Sequence, residues 1–237
     1  MPIPSQVLPA LWPKEPLSLA AKWLEIAQEE RSQPNPNAMV LASVAANGQP
    51  SARVVLCKEI CIETGYISFF TNYRSHKGRE IDGNSRVALV LHWDHLHRQV
   101  RIEGHALRAP DEESDAYFNT RPWQRRIGAW ASAQSTAIGS HAELKTAVAA
   151  TAHRFGTPVP GPEDEPTKIG IDYQIPRPAD WGGYHVYAEA VELWVEGESR
   201  IHDRARWTRS LTFTLNNTGT ITSAPITGPW SVTRLQP

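Results

Sequence analysis

Between Ala38 and Leu107 the chain runs through five short strand-like stretches, each closed by a polar or glycine-bearing connection. That succession fits a sheet and not a helical bundle, because side chains alternate across a strand but recur every three to four residues along a helix. The first two stretches, Ala38–Ala45 and Ser51–Cys57, flank Asn47-Gly48. Asn-Gly favours a hairpin, since both residues tolerate the positive φ that tight turns demand. Tyr66–Thr71, Arg86–Trp93 and Gln99–Leu107 are the next three expected strands.

Helical spacing flanks this block. Leu19, Ala20, Trp23, Leu24, Ile26 and Ala27 recur as one face of an amphipathic helix that starts at Leu17. Pro110-Asp111-Glu112-Glu113 opens a short helix, with acids where the helix dipole favours them. Ser140 and Glu143 form a capping box for a helix running to about Phe155. Residues 1–15 carry four prolines and read as an irregular arm; residues 157–180, with six prolines and Glu163-Asp164-Glu165, read as a loop. Strands Tyr184–Trp194 and Ala205–Leu215, a turn at Asn216-Asn217-Thr218-Gly219 and a strand near Trp230–Leu235 complete the chain. The expected class is mainly β with peripheral helices, an antiparallel barrel or a sandwich.

The chain's 237 residues are ample for a sizeable core. Lys and Arg number 24 against 25 Asp and Glu, so binding to nucleic acid or membrane by bulk charge is not expected. Nine Trp favour packed interfaces or aromatic-lined pockets over disorder. Cys57 and Cys61, four apart with no second pair, suit neither a disulfide framework nor a zinc site. His92, His95 and His97 fall at a strand end and turn with no second carboxylate or cysteine set, so no metal is expected. No window reaches the ~18 apolar residues of a membrane span, and Met1-Pro2-Ile3-Pro4 lacks a signal pattern; a soluble cytoplasmic protein is expected.

Several groups of residues could carry chemistry. Trp194-Val195-Glu196-Gly197-Glu198-Ser199-Arg200-Ile201-His202-Asp203-Arg204 places two arginines, a histidine and an aspartate behind a tryptophan, after a strand. Taken alone, such a basic turn is most often solvated surface. Arg53 and Lys58 stand five apart on one expected strand and so point to opposite faces. Thr71, Ser75 and Lys77 can cradle a phosphate from one turn. Tyr117 and Arg121, four apart on a helix, present a hydroxyl and a guanidinium on one face, which suits a phosphate monoester. Strand-edge charges, a polar turn and an amphipathic helix end are the bland readings of the same residues.

In order along the chain, Arg53-Val54-Val55-Leu56-Cys57-Lys58, Phe70-Thr71-Asn72, Ser75-His76-Lys77, Arg98-Gln99-Val100, Gln134-Ser135 and the Trp194–Arg204 stretch resemble the pyridoxamine 5'-phosphate oxidase family of FMN enzymes. The resemblance runs from about Pro16 to Arg234-Leu235-Gln236-Pro237. It implies an FMN-binding split β-barrel in one domain, 16–237, with an insertion at 157–180 and the arm 1–15 before it. It assigns FMN to Arg53, Val54, Val55, Leu56, Cys57, Lys58, Phe70, Thr71, Ser75, His76, Lys77, Gln99, Gln134, Ser135, Trp194 and Arg204. It assigns the substrate to Lys58, Tyr117, Arg121, Arg125, Arg200, Ile201 and His202, with Arg200 and His202 in the catalytic role.

Two positions depart from the family. His76 stands where Arg is usual, and a histidine is only partly charged near neutral pH, so phosphate binding should weaken modestly and depend on pH. Arg125 stands where Ser is usual. The reaction implied is oxidation of pyridoxamine or pyridoxine 5'-phosphate to pyridoxal 5'-phosphate, with dioxygen as acceptor and release of hydrogen peroxide. A homodimer with shared active sites is implied, Trp194 and Arg204 coming from the other subunit. Arg125, the closing Arg234–Pro237 and a short arm without an Arg-Arg-Glu-Tyr-like segment also suit flavin oxidases of phenazine biosynthesis. A third reading is a non-catalytic split-barrel protein that binds flavin or pyridoxal phosphate.

Overall fold

The structure, a computed structural model, describes residues 7–161, 173–216, 221 and 223–237. In chain order the elements are α1 (Leu17–Glu30), β1 (Ala38–Val44), β2 (Pro50–Leu56), β3 (Glu59–Cys61), β4 (Tyr66–Asn72), α2 (His76–Gly83), β5 (Arg86–Trp93) and β6 (Arg98–Arg108). Then follow α3 (Asp111–Thr120), α4 (Trp123–Ala131), α5 (His141–Arg154), β7 (Trp181–Val195), β8 (Asp203–Thr208), β9 (Leu211–Thr212), β10 (Ile226–Thr227) and β11 (Ser231–Leu235). The chain forms two compact units: Met1–Phe69, Gly83–Leu107 and His185–Pro237 make the first, Phe70–Asp82 and Arg108–Tyr184 the second.

The first unit is organised by a sheet with strand order β11-β8-β7-β6-β5-β1-β2, in which β4 pairs with β7 and β3 with β4. The Asn47-Gly48 signal marks a hairpin, with register from Ala38↔Leu56 to Val44↔Pro50. Gly48 takes φ +84 there, a conformation that strains any residue with a Cβ. Met39 and Leu41 are buried while Val40 lies on the outer face opposite Val54, the alternation the sequence displays. In α1, Leu17, Ala20, Trp23 and Ala27 are buried at helical spacing. Ile67, Phe69, Leu89, Leu91, Ile102 and Leu193 continue the core; each such side chain contributes about 1.5–3 kcal/mol when fully buried.

The expected strand Ala205–Leu215 is broken into β8 and β9. Arg209 N still donates to Glu189 O of β7 (2.9 Å), and its side chain donates from Nε to Ala188 O (2.8 Å) and from Nη2 to Gly65 O (2.9 Å). Those carbonyls supply acceptors to a half-buried cation, which needs them. Of the expected turn Asn216–Gly219, residues 217–219 lie outside the described residues.

The second unit holds α2 to α5. The capping box appears at α5: Ser140 Oγ accepts from Glu143 N (3.1 Å), while Glu143 Oε2 accepts from Gly139 N, one residue earlier than the reciprocal bond of the motif (3.2 Å). Helices α2 and α4 were not expected, because neither carries a long apolar period. Within the expected loop 157–180, residues 162–172 lie outside the described residues. Beyond them Arg177 donates to Asp111 (2.8 Å), Asp115 (2.6 Å) and Trp181 O (2.7 Å), tying the chain to α3 before β7 begins three residues ahead of its expected start. Among the described residues no helix is long and apolar enough to cross a membrane.

Candidate active site

In the second unit, β4 ends by delivering Thr71, and α2 begins with His76 and Lys77. Ser75, His76 and Lys77 therefore belong to a helix start and not to the simple turn expected from sequence. Ser75 Oγ accepts from Gly78 N (3.3 Å), which satisfies one of the N–H groups a helix leaves open. The Lys77 ammonium, buried, donates to Thr71 Oγ1 (3.1 Å), Ser75 Oγ (3.2 Å) and Gln134 Oε1 (3.1 Å). Gln134 arrives from the turn after α4, where Ser135 takes the left-handed φ of 68°. One ammonium gathered with two hydroxyls and a carboxamide makes a polar set that fits a terminal phosphate. His76 sits on the outside of the same turn, Nε2 at 3.0 Å from Glu80 Oε1.

A second cluster in this unit has an aromatic floor. Phe70 stacks on Tyr117 (centroids 4.0 Å) and on Trp181 (5.7 Å). The guanidinium of Arg121 lies 4.6 Å from the Trp181 ring centroid. Arg121 is not on the face of α3 with Tyr117: the helix ends at Thr120, and Arg121 is extended because Pro122 follows it. The two side chains nonetheless meet the same ring, Tyr117 stacking at 6.2 Å from Trp181. Among the described residues, Nη1 of Arg121 is buried without a hydrogen-bond partner. Burial lowers the pKa of Arg121; Tyr117 opposes this, and the nearby charges of Arg125 and Arg126 add to it. A desolvated guanidinium among like charges is stabilised by an anion, and a phosphate monoester fits. Arg125 is exposed.

In the first unit, Arg53 donates through Nη1 to Leu41 O (3.3 Å) and to Ser43 Oγ, and through Nη2 to Ser51 Oγ. Lys58 is not on the same strand as Arg53, since β2 ends at Leu56; its amide bonds instead to Ser68 O (2.9 Å). Cys57 is buried, and burial pushes its thiol pKa up to about 12. Val54 and Leu56 are exposed, and Gln99 is half-buried on β6 opposite His92 of β5.

The turn between β7 and β8 is closed by the pair Val195↔Asp203. Inside it, Ser199 and Arg200 both take left-handed φ, 53° and 64°. His202 Nδ1 accepts from Gly197 N (3.2 Å), and its ring lies 4.8 Å from that of Trp194. Gly197 is required by space, for a Cβ there would stand 1.8 Å from Ile201 O. Arg200 and Ile201 are exposed. Arg204 is bound through Nε and Nη2 to Glu192 Oε1 (3.1 and 2.8 Å). Nothing in the sequence singled out Glu192 or Trp181, and Asp203 drew notice only as part of the basic stretch. The three histidines diverge: His97 Nδ1 meets Glu196 Oε2 at 2.7 Å, His95 faces Glu30 at 3.6 Å, and His92 is exposed on β5.

Comparison with known proteins gives these clusters a common setting. A family profile described as pyridoxamine 5'-phosphate oxidase matches residues 26–155, and one described as the pyridoxine 5'-phosphate oxidase C-terminal dimerisation region matches residues 181–237. The first interval contains the Lys77 cluster with Phe70, Tyr117 and Arg121, the second Trp181 and the Trp194–Arg204 stretch. A pyridoxine/pyridoxamine 5'-phosphate oxidase of Paracoccus denitrificans is 43% identical over 199 residues, covering 83% of this chain and 82% of that protein. Its counterpart in Burkholderia ambifaria is 40% identical over 223 residues, covering 94% and 89%. PhzG from Burkholderia lata 383, solved in complex with tetrahydrophenazine-1-carboxylic acid, superposes with a TM-score of 0.76 at 25% identity, covering 98% of this chain and 99% of that one. A pyridoxamine 5'-phosphate oxidase-related, FMN-binding protein of Nostoc punctiforme shares the fold, with a TM-score of 0.63 at 15% identity and coverage of 97% and 100%. The chain belongs to the pyridoxamine 5'-phosphate oxidase family, and its fold is the flavin-binding split β-barrel.

Proposed function

We propose that the protein is an FMN-dependent oxidase that converts pyridoxamine 5'-phosphate or pyridoxine 5'-phosphate to pyridoxal 5'-phosphate, with dioxygen as acceptor and hydrogen peroxide as by-product. The observation that carries this reading is a pair of candidate anion sites in the second unit, the buried Lys77 ammonium and the Nη1 of half-buried Arg121, which has no hydrogen-bond partner among the described residues. Two phosphates, one on the cofactor and one on the substrate, need two such sites.

FMN, when bound, supplies the two-electron acceptor for a hydride from substrate. Lys77, Thr71, Ser75 and Gln134, which the Lys77 ammonium links by hydrogen bonds, hold its phosphate. Arg53, the segment Val54–Lys58, Phe70, His76, Gln99, Ser135, Trp194 and Arg204 complete the cofactor set. Arg121, Tyr117 and Arg125, with Lys58, bind the substrate phosphate, and Arg200 and His202, flanking Ile201, orient the pyridine ring. The protein's contribution is positioning and electrostatics. Residues 16–237 act as one flavin-binding domain after the 1–15 arm, interrupted at 157–180. The working species is a homodimer, supported by the dimerisation-region match, in which Trp194 and Arg204 serve the partner's cofactor.

A second reading, oxidation of a reduced phenazine carboxylate, is favoured by the PhzG likeness and by Arg125. Aerobic incubation of the FMN-loaded protein with pyridoxamine phosphate, pyridoxine phosphate or a dihydrophenazine carboxylate, with peroxide as readout, separates the two. Peroxide formed only from the phenazine substrate overturns the first reading. Mass analysis of released cofactor checks FMN against FAD, and equilibrium sedimentation checks the dimer.

A further inference from the structure

The turn that carries Arg200 and His202 is held at both feet. At the first, Glu196 N donates to His97 O (2.9 Å) and Glu196 Oε2 meets His97 Nδ1 (2.7 Å). At the second stands Asp203, first residue of β8 and the immediate neighbour of His202. Its carboxylate is 13% exposed and occupied on both oxygens: Oδ2 accepts from Leu8 N (2.9 Å), and Oδ1 faces Arg234 Nη1 (3.4 Å). Arg234 also lies over the Trp12 ring (5.4 Å), Trp12 packs on Trp207 (6.1 Å), and Trp207 Nε1 donates to Pro13 O (3.1 Å). One carboxylate thus joins the segment Leu8–Pro13, strand β11 and the foot of the turn.

Leu8 is buried, but Val7 is 72% exposed, and a cavity of about 220 Å³ opens between Val7 and Pro9 on one side and Leu19, Trp23 and Ile26 of α1 on the other. A charge-assisted bond from a main-chain N–H to a mostly buried carboxylate is strong enough to set where such a segment lies.

We propose that Asp203 is a positioning residue: by gripping Leu8 and Arg234 it fixes the Arg200–His202 turn, so that the segment Leu8–Pro13 and β11 set the reach of these two side chains toward substrate. The proposal rests on the reading above that Arg200 and His202 act on substrate. Asp203 itself touches neither substrate nor cofactor. The left-handed torsions at Ser199 and Arg200 make its grip necessary, because strained backbone persists only where its surroundings hold it.

The test uses the FMN-loaded full chain and the variants Asp203→Ala, Asp203→Asn, Arg234→Ala and Arg200→Ala. Asp203→Ala should hasten tryptic cleavage after Lys14, weaken pyridoxal 5'-phosphate binding in equilibrium dialysis, and lower kcat/KM for pyridoxamine phosphate by about 10- to 100-fold, the scale of a small misplacement of reacting groups. FMN stoichiometry should stay unchanged. Arg234→Ala should show the same pattern at a smaller fold-change. Should Asp203→Ala not yield folded protein, Asp203→Asn keeps an acceptor oxygen, loses the charge, and carries the same expectation in milder form. Faster cleavage with unchanged kcat/KM overturns the proposal, since Asp203 then anchors the arm alone; loss of FMN in the folded variants overturns it as well. If Arg200→Ala is fully active, the substrate role of the turn is wrong; if Arg200→Ala is impaired while the Asp203 variants are not, only the role of Asp203 falls.

Discussion

Glu192 of β7 and Arg204 of β8 form a two-point contact, in which one carboxylate oxygen accepts from both Nε (3.1 Å) and Nη2 (2.8 Å). Glu192 is buried, and its other oxygen accepts from Arg101 Nη1 (3.0 Å). Arg204 Nη1 donates in turn to Gln236 O (3.0 Å). With its charge balanced and three N–H groups engaged, Arg204 can offer a bound anion only its remaining N–H groups, in fixed directions. Glu192→Gln should therefore lower stability by about 1–3 kcal/mol, the cost of leaving charged partners poorly satisfied. Urea unfolding of the apoprotein checks this, and an unchanged midpoint would show that the pair is not formed as described.

Lys77 makes a distinct prediction about the cofactor. Replacing it with Met removes the buried ammonium and leaves Thr71, Ser75 and Gln134 without their shared donor. FMN affinity should fall about 10- to 100-fold, corresponding to a charge-assisted bond of about 1.5–3 kcal/mol. Fluorescence titration of FMN into apoprotein measures it. Riboflavin, which lacks the phosphate, should bind wild type and variant alike.

The three basic groups around the β7–β8 turn should separate by phenotype. Arg200→Ala should leave flavin bound and reduce kcat/KM by roughly 10- to 1,000-fold, and His202→Ala should act in the same direction more mildly. Arg204→Ala should weaken FMN itself. Exposed charges without a function would give small and similar effects in all three. Flavin titration and steady-state turnover on the same preparations distinguish these outcomes.

The two cysteines should differ in reactivity. Burial pushes the Cys57 thiol up to about 12, so it stays protonated and unreactive well above pH 9 in the folded protein, whereas Cys61 is only half-buried. The sign for stability follows: the folded state holds this proton more tightly, so the contribution is complete below the ordinary thiol value of 9.0 and is lost as pH rises toward 12. Iodoacetamide at pH 8.5 should label Cys61 first, with Cys57 labelled only after denaturant is added. Equal labelling in the native protein would mean that Cys57 is accessible.

Much of this protein was legible in sequence wherever the signal is local. Alternation placed β1, β2, β5 and β6 within a residue or two of their observed ends, and Asn47-Gly48 and Ser140 marked a hairpin and a helix start. The motifs named the residue types of the candidate site, but not their partners. Helices α2 and α4, of 8 and 9 residues, escaped because they are too short to display a long apolar period, and Pro122 took Arg121 off the helix that its spacing from Tyr117 suggested. A chain fixes by itself what depends on backbone torsion and on neighbours a few residues away. Only the tertiary structure decided that Lys77 meets Gln134, 57 residues on, that Asp203 meets Leu8, 195 residues back, and that Glu192 is buried between two guanidiniums. Strand order brings such residues together, and strand order is set by the burial of many side chains at once, so no single residue announces it.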